Sequence, residues 1–595
     1  MRVKFIVFLF VSIALALLVR VYYLAIESNR YYEKLSLNNT IKTEYVAPVR
    51  GEILDTKKKP IAVNKLGFKI QLRPHLLSKK HIKEFYSEIE SVAKLFPYLD
   101  KKKMIKKYKR KNSFYNHNYI DIVDFIPYKE MMPKYSKLLL HDNLKIIPAP
   151  KRYYPFGDIA SHVIGYVSKA NKKDIQNDPL LELIGYAGKN GIEKYYNRYL
   201  EGDAGKRVVQ VNANNQIIKE LSYIPPKENK KLILNIDIEL QKYISKLFKG
   251  KAGAIIVMRT DGSILAASSF PEYNLNTFVT GISQKEWIKL TTNLDNPFTN
   301  KLVNGLYPPG STIKTGLGLI YITTKLYPSW SVNCTAKMPL GKRVFRCWKH
   351  GGHGKTNITK AIRESCDDYF YKGSLQVGIN IMSEGLKRMG LGKKTGVDLP
   401  NEFIGTVPSR EWKMRKYRQP WYMGETVNTS IGQGYMLVTP MQMATFTALM
   451  ATGKLPVPHF AKLIGDKPYN PKPKDVLTPK EKRYLPIIQK AMMEVCNYPK
   501  GTATHFLHSK VKIAGKTGTA QVIGIKQDIK KRKLEHELSY YSRSHAWLTT
   551  YGPYRHPQVI VTALVEHGGH GGHAAGAIVS DIYNWLLAHK YITKR

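Results

Sequence analysis

The stretch Tyr307-Pro-Pro-Gly-Ser-Thr-Ile-Lys-Thr-Gly-Leu-Gly-Leu-Ile-Tyr-Ile322 decides how this chain is read. A Pro-Pro-Gly turn runs directly into an apolar segment, which places Ser311 at the entry of a buried helix and Lys314 one turn later on the same face. A serine hydroxyl is a poor nucleophile until a neighbouring base takes its proton, and a lysine can be that base once burial or a nearby positive charge lowers its pKa. The same turn aims backbone N–H groups at the serine. The pattern alone is weak in a lysine-rich chain, and Ser509-Lys-Val-Lys512 repeats it. There the alternation of Ser509-Lys-Val-Lys-Ile-Ala514 predicts a strand, which would hold the serine and Lys512 apart.

Two more motifs follow in order: Ser365-Cys366-Asp367 and Lys516-Thr517-Gly518-Thr519. Lys-Thr-Gly also begins at Lys314 and at Lys394. Lys394 falls in the turn cluster Gly390-Leu-Gly-Lys-Lys-Thr-Gly396, whereas Lys516 is expected directly after the strand ending at Ala514. A glycine there lets a ligand approach the backbone closely.

In this order the three motifs resemble the penicillin-binding protein and serine β-lactamase superfamily. Arg50-Gly-Glu-Ile-Leu-Asp55, Tyr154-Pro-Phe-Gly157 with Ala160-Ser-His-Val-Ile-Gly165, Gly191-Ile-Glu-Lys-Tyr195, Gly432-Gln-Gly434 with Thr439-Pro440, and His545-Ala-Trp547 extend the resemblance to class B penicillin-binding proteins over nearly the whole chain. The middle motif ends in Asp367 where division-type relatives usually carry asparagine, so the chain is most similar to the elongation-type penicillin-binding protein 2 branch. The resemblance implies a D,D-transpeptidase. Ser311 would attack the penultimate D-alanyl carbonyl of a peptidoglycan stem peptide, and Lys314, made neutral by burial and by Lys516, would take its proton. Ser365 would pass a proton to the leaving amine, with Asp367 and the lysines holding the polar network. Lys516, Thr517, Gly518 and Thr519 would bind the terminal carboxylate, and the N–H groups of Ser311 and Thr519 would form the oxyanion hole. β-Lactams would acylate Ser311. A hydrolase (carboxypeptidase or β-lactamase), a division-type enzyme and a non-catalytic β-lactam-binding scaffold are the alternatives. Implied partners are a polytopic glycosyltransferase of the shape, elongation, division and sporulation (SEDS) family and other elongation proteins.

Length and charge bound the rest. At 595 residues two or more domains are expected. Phe5 to Val19 is apolar apart from Ser12, and Val21 to Ile26 extends it past Arg20. With Arg2 and Lys4 ahead of it, the segment reads as a single-pass inner-membrane anchor with a cytoplasmic N-terminus. Arg20 would snorkel toward the outer interface. A cleaved signal peptide would need a small-residue site, which Val19-Arg-Val-Tyr-Tyr23 does not supply. Net charge is +49, from 94 Lys+Arg against 45 Asp+Glu. Spread along an exported chain without a nucleic-acid motif, it predicts a solvated surface near anionic headgroups or peptidoglycan carboxylates, and no nucleic-acid partner. The expected division is residues 1–26 tip and anchor, 27–226 pedestal, and 227–595 transpeptidase domain, with a polar linker at Ile224-Pro-Pro-Lys-Glu-Asn229. The lysine-rich stretch from about Lys79 to Lys111 reads as helix. Strands at both ends of the C-terminal region with helices between predict an α+β arrangement, an antiparallel sheet covered by helices. A last helix is expected over Ile578 to Ala588.

Cys334, Cys347, His353 and Cys366 are spaced Cys-x12-Cys-x5-His-x12-Cys. Three thiolates and an imidazole are a closed donor set suited to structural zinc, and a disulfide with a free thiol is the alternative. Catalysis itself needs no cofactor. The fourth cysteine, Cys496, reads as a buried thiol. His567-Gly-Gly-His570-Gly-Gly-His573 resembles a metal tract, but its glycines favour a turn before the last helix.

Overall fold

The computed structural model describes residues 2–27, 40–211, 217–227, 231–523 and 533–594, so Glu228 and Asn229 of the expected linker lie outside the described residues. The N-terminal segment is a helix over Arg2–Tyr22, and Arg2–Ile26 is long and apolar enough to cross a membrane. Two compact units are present: Met1–Arg50 with Ala170–Tyr186 and Glu201–Asn229, and Gly51–Lys169 with Ala187–Leu200 and Lys230–Arg595. Besides the apolar helix, the first unit holds an antiparallel sheet in which Gly205–Val211 lies between Ile41–Val46 and Ile217–Ile224.

In the second unit a small sheet, with Gly67–Leu72 between Ile120–Pro127 and Leu144–Pro148, has its own apolar core. The lysine-rich stretch lies over it as two helices, Ile82–Leu95 and Lys101–Lys111, not one. Pro97 forces Phe96 out of the helical region, and Asp100 restarts the helix by accepting the N–H groups of Lys102 and Lys103. Met104 and Tyr108 bury, and most of the lysines face solvent.

The larger core surrounds a five-stranded antiparallel sheet in the order Ile264–Phe270, Gly253–Arg259, Val559–Val565, His545–Gly552, Ala514–Ala520. Two inner strands, Gly253–Arg259 and Val559–Val565, are nearly continuous buried apolar runs because helices cover both faces, Gly571–Ala588 among them. This is the α+β arrangement that the sequence predicts.

Two local expectations are corrected. Lys510 to Ile513 alternates like a strand, yet its backbone bonds elsewhere: Lys510 N–H to Asn584, Val511 N–H to Ser509 Oγ, and Lys512 C=O from Tyr554 N–H. The strand begins at Ala514, so the Lys516 motif is not beyond a strand but is the strand itself. The last helix begins at Gly571, placing His573 in its first turn.

Several motifs without a chemical role meet at one buried ion pair. Arg152 donates through Nε to Glu193 at 2.7 Å and through Nη1 to Gly51 O at 2.8 Å, and the Tyr154 hydroxyl donates to Glu193 at 3.1 Å. Arg152, Tyr154 and Glu193 are all buried. A buried ion pair adds little over a well-packed apolar pair, but removing one partner strands a charge away from water, at a cost of about 3–5 kcal/mol. Arg152→Ala is therefore expected to lower unfolding stability by about that amount in denaturant titration, and Arg152→Met combined with Glu193→Leu by clearly less.

Candidate active site

Ser311 lies in a 3-10 turn, Gly310–Ile313, that continues into the wholly buried helix Lys314–Thr323. The turn is pinned on three sides. Gly310 N–H donates to Gly432 O at 3.1 Å, Trp547 Nε1 to Pro308 O at 3.1 Å, and Thr312 Oγ1 to Pro309 O at 2.7 Å. Gly432 has φ +71°, and a Cβ there would lie 2.2 Å from Gly310 O, so two backbones touch where no side chain fits. The Ala514–Ala520 strand is the sheet edge, and its Gly518 brings the strand against Pro309 and Thr312. Gln433 Nε2 donates to Thr519 O at 3.3 Å. Ser311 is half-buried, and among the described residues its hydroxyl has no hydrogen-bond partner.

The middle motif is a helix junction. Cys366 N–H bonds back to Ala361 O and closes the helix Ile358–Arg363, with Ser365 in the left-handed region at φ +55°. Asp367 then opens the helix Asp367–Val377, where a carboxylate suits the positive end of the helix dipole. This sharp reversal points Ser365 and Asp367 at the two lysines. Lys314 Nζ donates to Asp367 Oδ1 at 2.6 Å and to Ser365 O at 3.0 Å, and lies 3.5 Å from Ser365 Oγ. Lys516 Nζ donates to Ser365 Oγ at 3.0 Å and to Thr517 O at 3.0 Å.

Neither lysine is exposed to solvent. Burial, then the charge of Lys314, hold Lys516 well below the ordinary lysine range, although Asp367 opposes this. Burial also raises the Asp367 carboxyl, against the pull of Lys314. The sequence expectation made Lys314 the neutral lysine. In the structure Lys314 Nζ is paired with the Asp367 carboxylate, and Lys516 is held low by burial and by the charge of Lys314.

Thr517 is buried, its hydroxyl 2.7 Å from that of Thr502, and Thr519 is half-buried at the mouth of the cleft. The other Ser-x-x-Lys and Lys-Thr-Gly matches are used locally. Ser509 Oγ donates to Val511 O, and Thr395 donates its N–H and hydroxyl to Glu402.

Cys334, Cys347, His353 and Cys366 are all buried, and their donor atoms lie within 4.8 Å of one another. All four cysteines of the chain are free thiols, Cys496 buried among them, so no disulfide forms. The Sγ atoms of Cys334 and Cys347 lie 3.6 and 3.5 Å from His353 Nδ1. Tetrahedral zinc with bonds of about 2.3 Å to sulfur and about 2.0 Å to nitrogen would need S···N edges of about 3.5 Å. The donor set therefore fits the metal. Hydrogen bonding from Cys366, with help from His353, pushes the Cys347 thiol down to about 2, and the bond to Cys347 pushes Cys366 up. Among the described residues the glycine-rich turn forms no such cluster: His567 Nδ1 lies 3.3 Å from Arg543 O, and His573 packs against Phe506.

Trp348 escaped the sequence reading. Its backbone N–H donates to Asp367 Oδ2 at 3.0 Å, and its indole N–H reaches the carbonyls of Glu364 and Ser365 at 3.1 Å each. Trp348 is 54% exposed, and its two N–H groups brace the Ser365 loop. Its one signal in the sequence is that it follows Cys347.

Residues 252–584 match the family described as penicillin binding protein transpeptidase domain, and residues 45–234 the penicillin-binding protein dimerisation domain. Peptidoglycan D,D-transpeptidase MrdA of Escherichia coli (strain K12) is 33% identical over 605 aligned residues, covering 96% of this chain and 91% of that protein. Penicillin-binding protein PBP2 of Helicobacter pylori, solved in complex with MreC, is 42% identical at a TM-score of 0.85, covering 93% of this chain and 99% of that one. A chain solved in a study of the structural coordination of polymerization and crosslinking by a peptidoglycan synthase complex is 25% identical at a TM-score of 0.68, covering 98% and 97%.

Lys516 carries a sign that can be measured. Its folded pKa lies below the unfolded one, so between the two the unfolded chain holds the extra proton, and folding loses stability as pH falls through that window. The groups facing it are Lys314, Asp367 and Cys496. Lys516→Met is expected to raise the melting temperature more at pH 6 than at pH 9, the gain fading toward about 10.5, the unfolded lysine value.

Proposed function

Since the chain belongs to the penicillin-binding protein 2 family of elongation-type peptidoglycan D,D-transpeptidases, we propose that its reaction runs through a serine acyl-enzyme at Ser311. The observation that carries this is the convergence of Lys314, Ser365, Asp367 and Lys516 in one buried hydrogen-bonded group beside the Ser311 turn. Asp367, its carboxyl raised by burial, lies 2.6 Å from Lys314 Nζ and fixes the place of that side chain in the group. Ser311 Oγ attacks the penultimate D-alanyl carbonyl of the stem peptide, and its proton passes to Lys314. The C–N bond breaks, Ser365 passes a proton to the departing D-alanine amine, and the acyl group stays on Ser311. Lys314, which took the Ser311 proton and lies 3.5 Å from Ser365 Oγ, returns it to that hydroxyl, so the proton count closes. Lys516, Thr517, Gly518 and Thr519 bind the terminal carboxylate through their N–H and hydroxyl donors. The N–H groups of Ser311 and Thr519 receive the oxyanion. An amine of a second stem peptide then attacks the ester and releases Ser311. Water in its place gives a carboxypeptidase side reaction, and β-lactams stop at the acyl stage.

The anchor holds the chain in the inner membrane with its N-terminus in the cytoplasm, as Arg2 and Lys4 before the apolar helix favour. Residues 27–226 serve as pedestal and 227–595 as transpeptidase domain. By likeness to the Helicobacter pylori complex and to the synthase complex, the chain works with an MreC-type protein and a SEDS-type glycosyltransferase. Cys334, Cys347, His353 and Cys366 hold a structural zinc ion, which takes no part in the chemistry and locks the Ser365 loop to the preceding hairpin.

Ser311→Ala is expected to abolish labelling by a fluorescent penicillin while melting as the wild type does. Labelling of that variant at the wild-type rate would sink the serine mechanism. Elemental analysis is expected to find about one zinc per chain, lost in Cys347→Ser. Equal metal content in the two proteins would remove the zinc assignment.

A further inference from the structure

The segment Gly432–Val438 is fastened at both ends to the strand and turn that deliver Ser311. Tyr307 and Val438 exchange backbone hydrogen bonds at 3.0 and 2.9 Å, and Gly310 N–H bonds Gly432 O. Tyr435 lies on the loop between these two anchors. Its ring meets Trp412 at 5.3 Å and Tyr417 at 5.4 Å between centroids, and those two rings meet at 5.6 Å. Lys413, buried and ion-paired with Glu425, lies over the Tyr422 ring at 4.4 Å and near Tyr435 at 6.0 Å. Trp412, Tyr417 and Tyr435 thus form one ring cluster that begins at the loop touching the nucleophile turn, and Lys413 bridges it to the Tyr422 ring. Tyr417 is 43% and Tyr422 58% exposed.

Such a patch is poorly explained as core, because its outer rings face solvent. It is also poorly explained as an anion site. The charge of Lys413 is spent on Glu425, and Lys416 lies over the Trp412 and Tyr417 rings at 5.3 and 5.5 Å. What remains is the part of the flat, electron-rich ring faces that the two lysines leave uncovered, beside the loop that touches the Ser311 turn. Those faces suit the C–H face of a sugar ring, with ring edges and lysine N–H groups left for hydroxyl and amide contacts.

We propose that Trp412, Tyr417, Tyr422 and Tyr435 form a saccharide subsite that holds the amino-sugar strand to which the reacting stem peptide is attached. The proposal rests on the transpeptidase reading and adds to it a contact that small substrates cannot make. Binding energy gathered on a remote, unreactive part of a substrate helps to position the reacting bond. The shelf is anchored to the Ser311 turn by the same hydrogen bonds that fix Gly432, so a strand seated there would be registered against the nucleophile.

Three acceptor-matched substrates test this with full-length protein: pentapeptide carried on a glycan polymer, the same pentapeptide free, and a fluorescent penicillin. Tyr417→Ser and Tyr422→Ser are expected to lower the polymer rate about tenfold relative to the penicillin rate, with the free-pentapeptide to penicillin ratio held. Tyr327→Ser, an exposed aromatic outside the shelf, should leave both ratios as in wild type. Peptide-free amino-sugar oligosaccharides should inhibit the polymer reaction of the wild type and not that of Tyr417→Ser. An unchanged polymer ratio overturns the subsite, and so does an equal loss on the free pentapeptide, which would make the shelf a peptide contact. If wild type itself is not labelled by penicillin, the serine mechanism falls instead, so the two failures are distinguishable.

Discussion

Two buried lysines lie beside one carboxylate that only one of them reaches, and the rest of the site is organised around that imbalance. Charges taken out of water are tolerated only when paired, and Asp367 is bonded to Lys314 alone. Lys516 is left with the hydroxyl of Ser365 and a backbone carbonyl, partners that hold an amine without neutralising an ammonium. The cost of the uncompensated charge is seen in its depressed pKa. A site arranged this way is short of one negative charge, and a D-alanyl carboxylate or a developing oxyanion supplies it. Away from water each such contact counts for more than it would in solvent.

Keeping that group dry and aligned is a matter of backbone contacts between segments far apart in the chain. The nucleophile turn is held where Gly310, Gly432 and Gly518 let three backbones approach, and Trp547 reaches from the neighbouring strand to tie down Pro308. The Ser365 reversal needs a left-handed serine, which a helix end and a helix start hold in place from either side. Far from the chemistry, the Arg152 and Glu193 pair does comparable work for the motifs around Gly51, Tyr154 and Gly191.

Much of this was legible in sequence because its signals are local. A Pro-Pro-Gly turn before an apolar run places Ser311 whatever the rest of the chain does, and so does the burial of the sheet strands. The misread parts depend on partners distant in sequence. Lys510 to Ile513 has strand periodicity but its backbone is claimed by Asn584 and Tyr554, and nothing near Lys510 announces either. The depressed pKa of Lys516 comes from its burial and from Lys314 beside it, and its own motif announces neither. Trp348 has no motif of its own, and its role exists only once the Cys347 turn is folded against Asp367. The aromatic shelf is likewise assembled from three separate segments. The single helix expected from Lys79 to Lys111 failed for a local reason, Pro97, that charge patterning overlooked.

The thiol and imidazole cluster cannot be separated from the catalytic loop. Cys366 is the residue between Ser365 and Asp367, and Cys347 both accepts the Asp367 N–H at 3.3 Å and precedes the Trp348 N–H that bonds the Asp367 carboxylate. Asp367 is therefore positioned by the cluster at both its backbone and its side chain. Any change that spreads the four donors would move the carboxylate to which Lys314 is bonded, so the hairpin that carries Cys334 and Cys347 and the helix junction at Ser365 are constrained together.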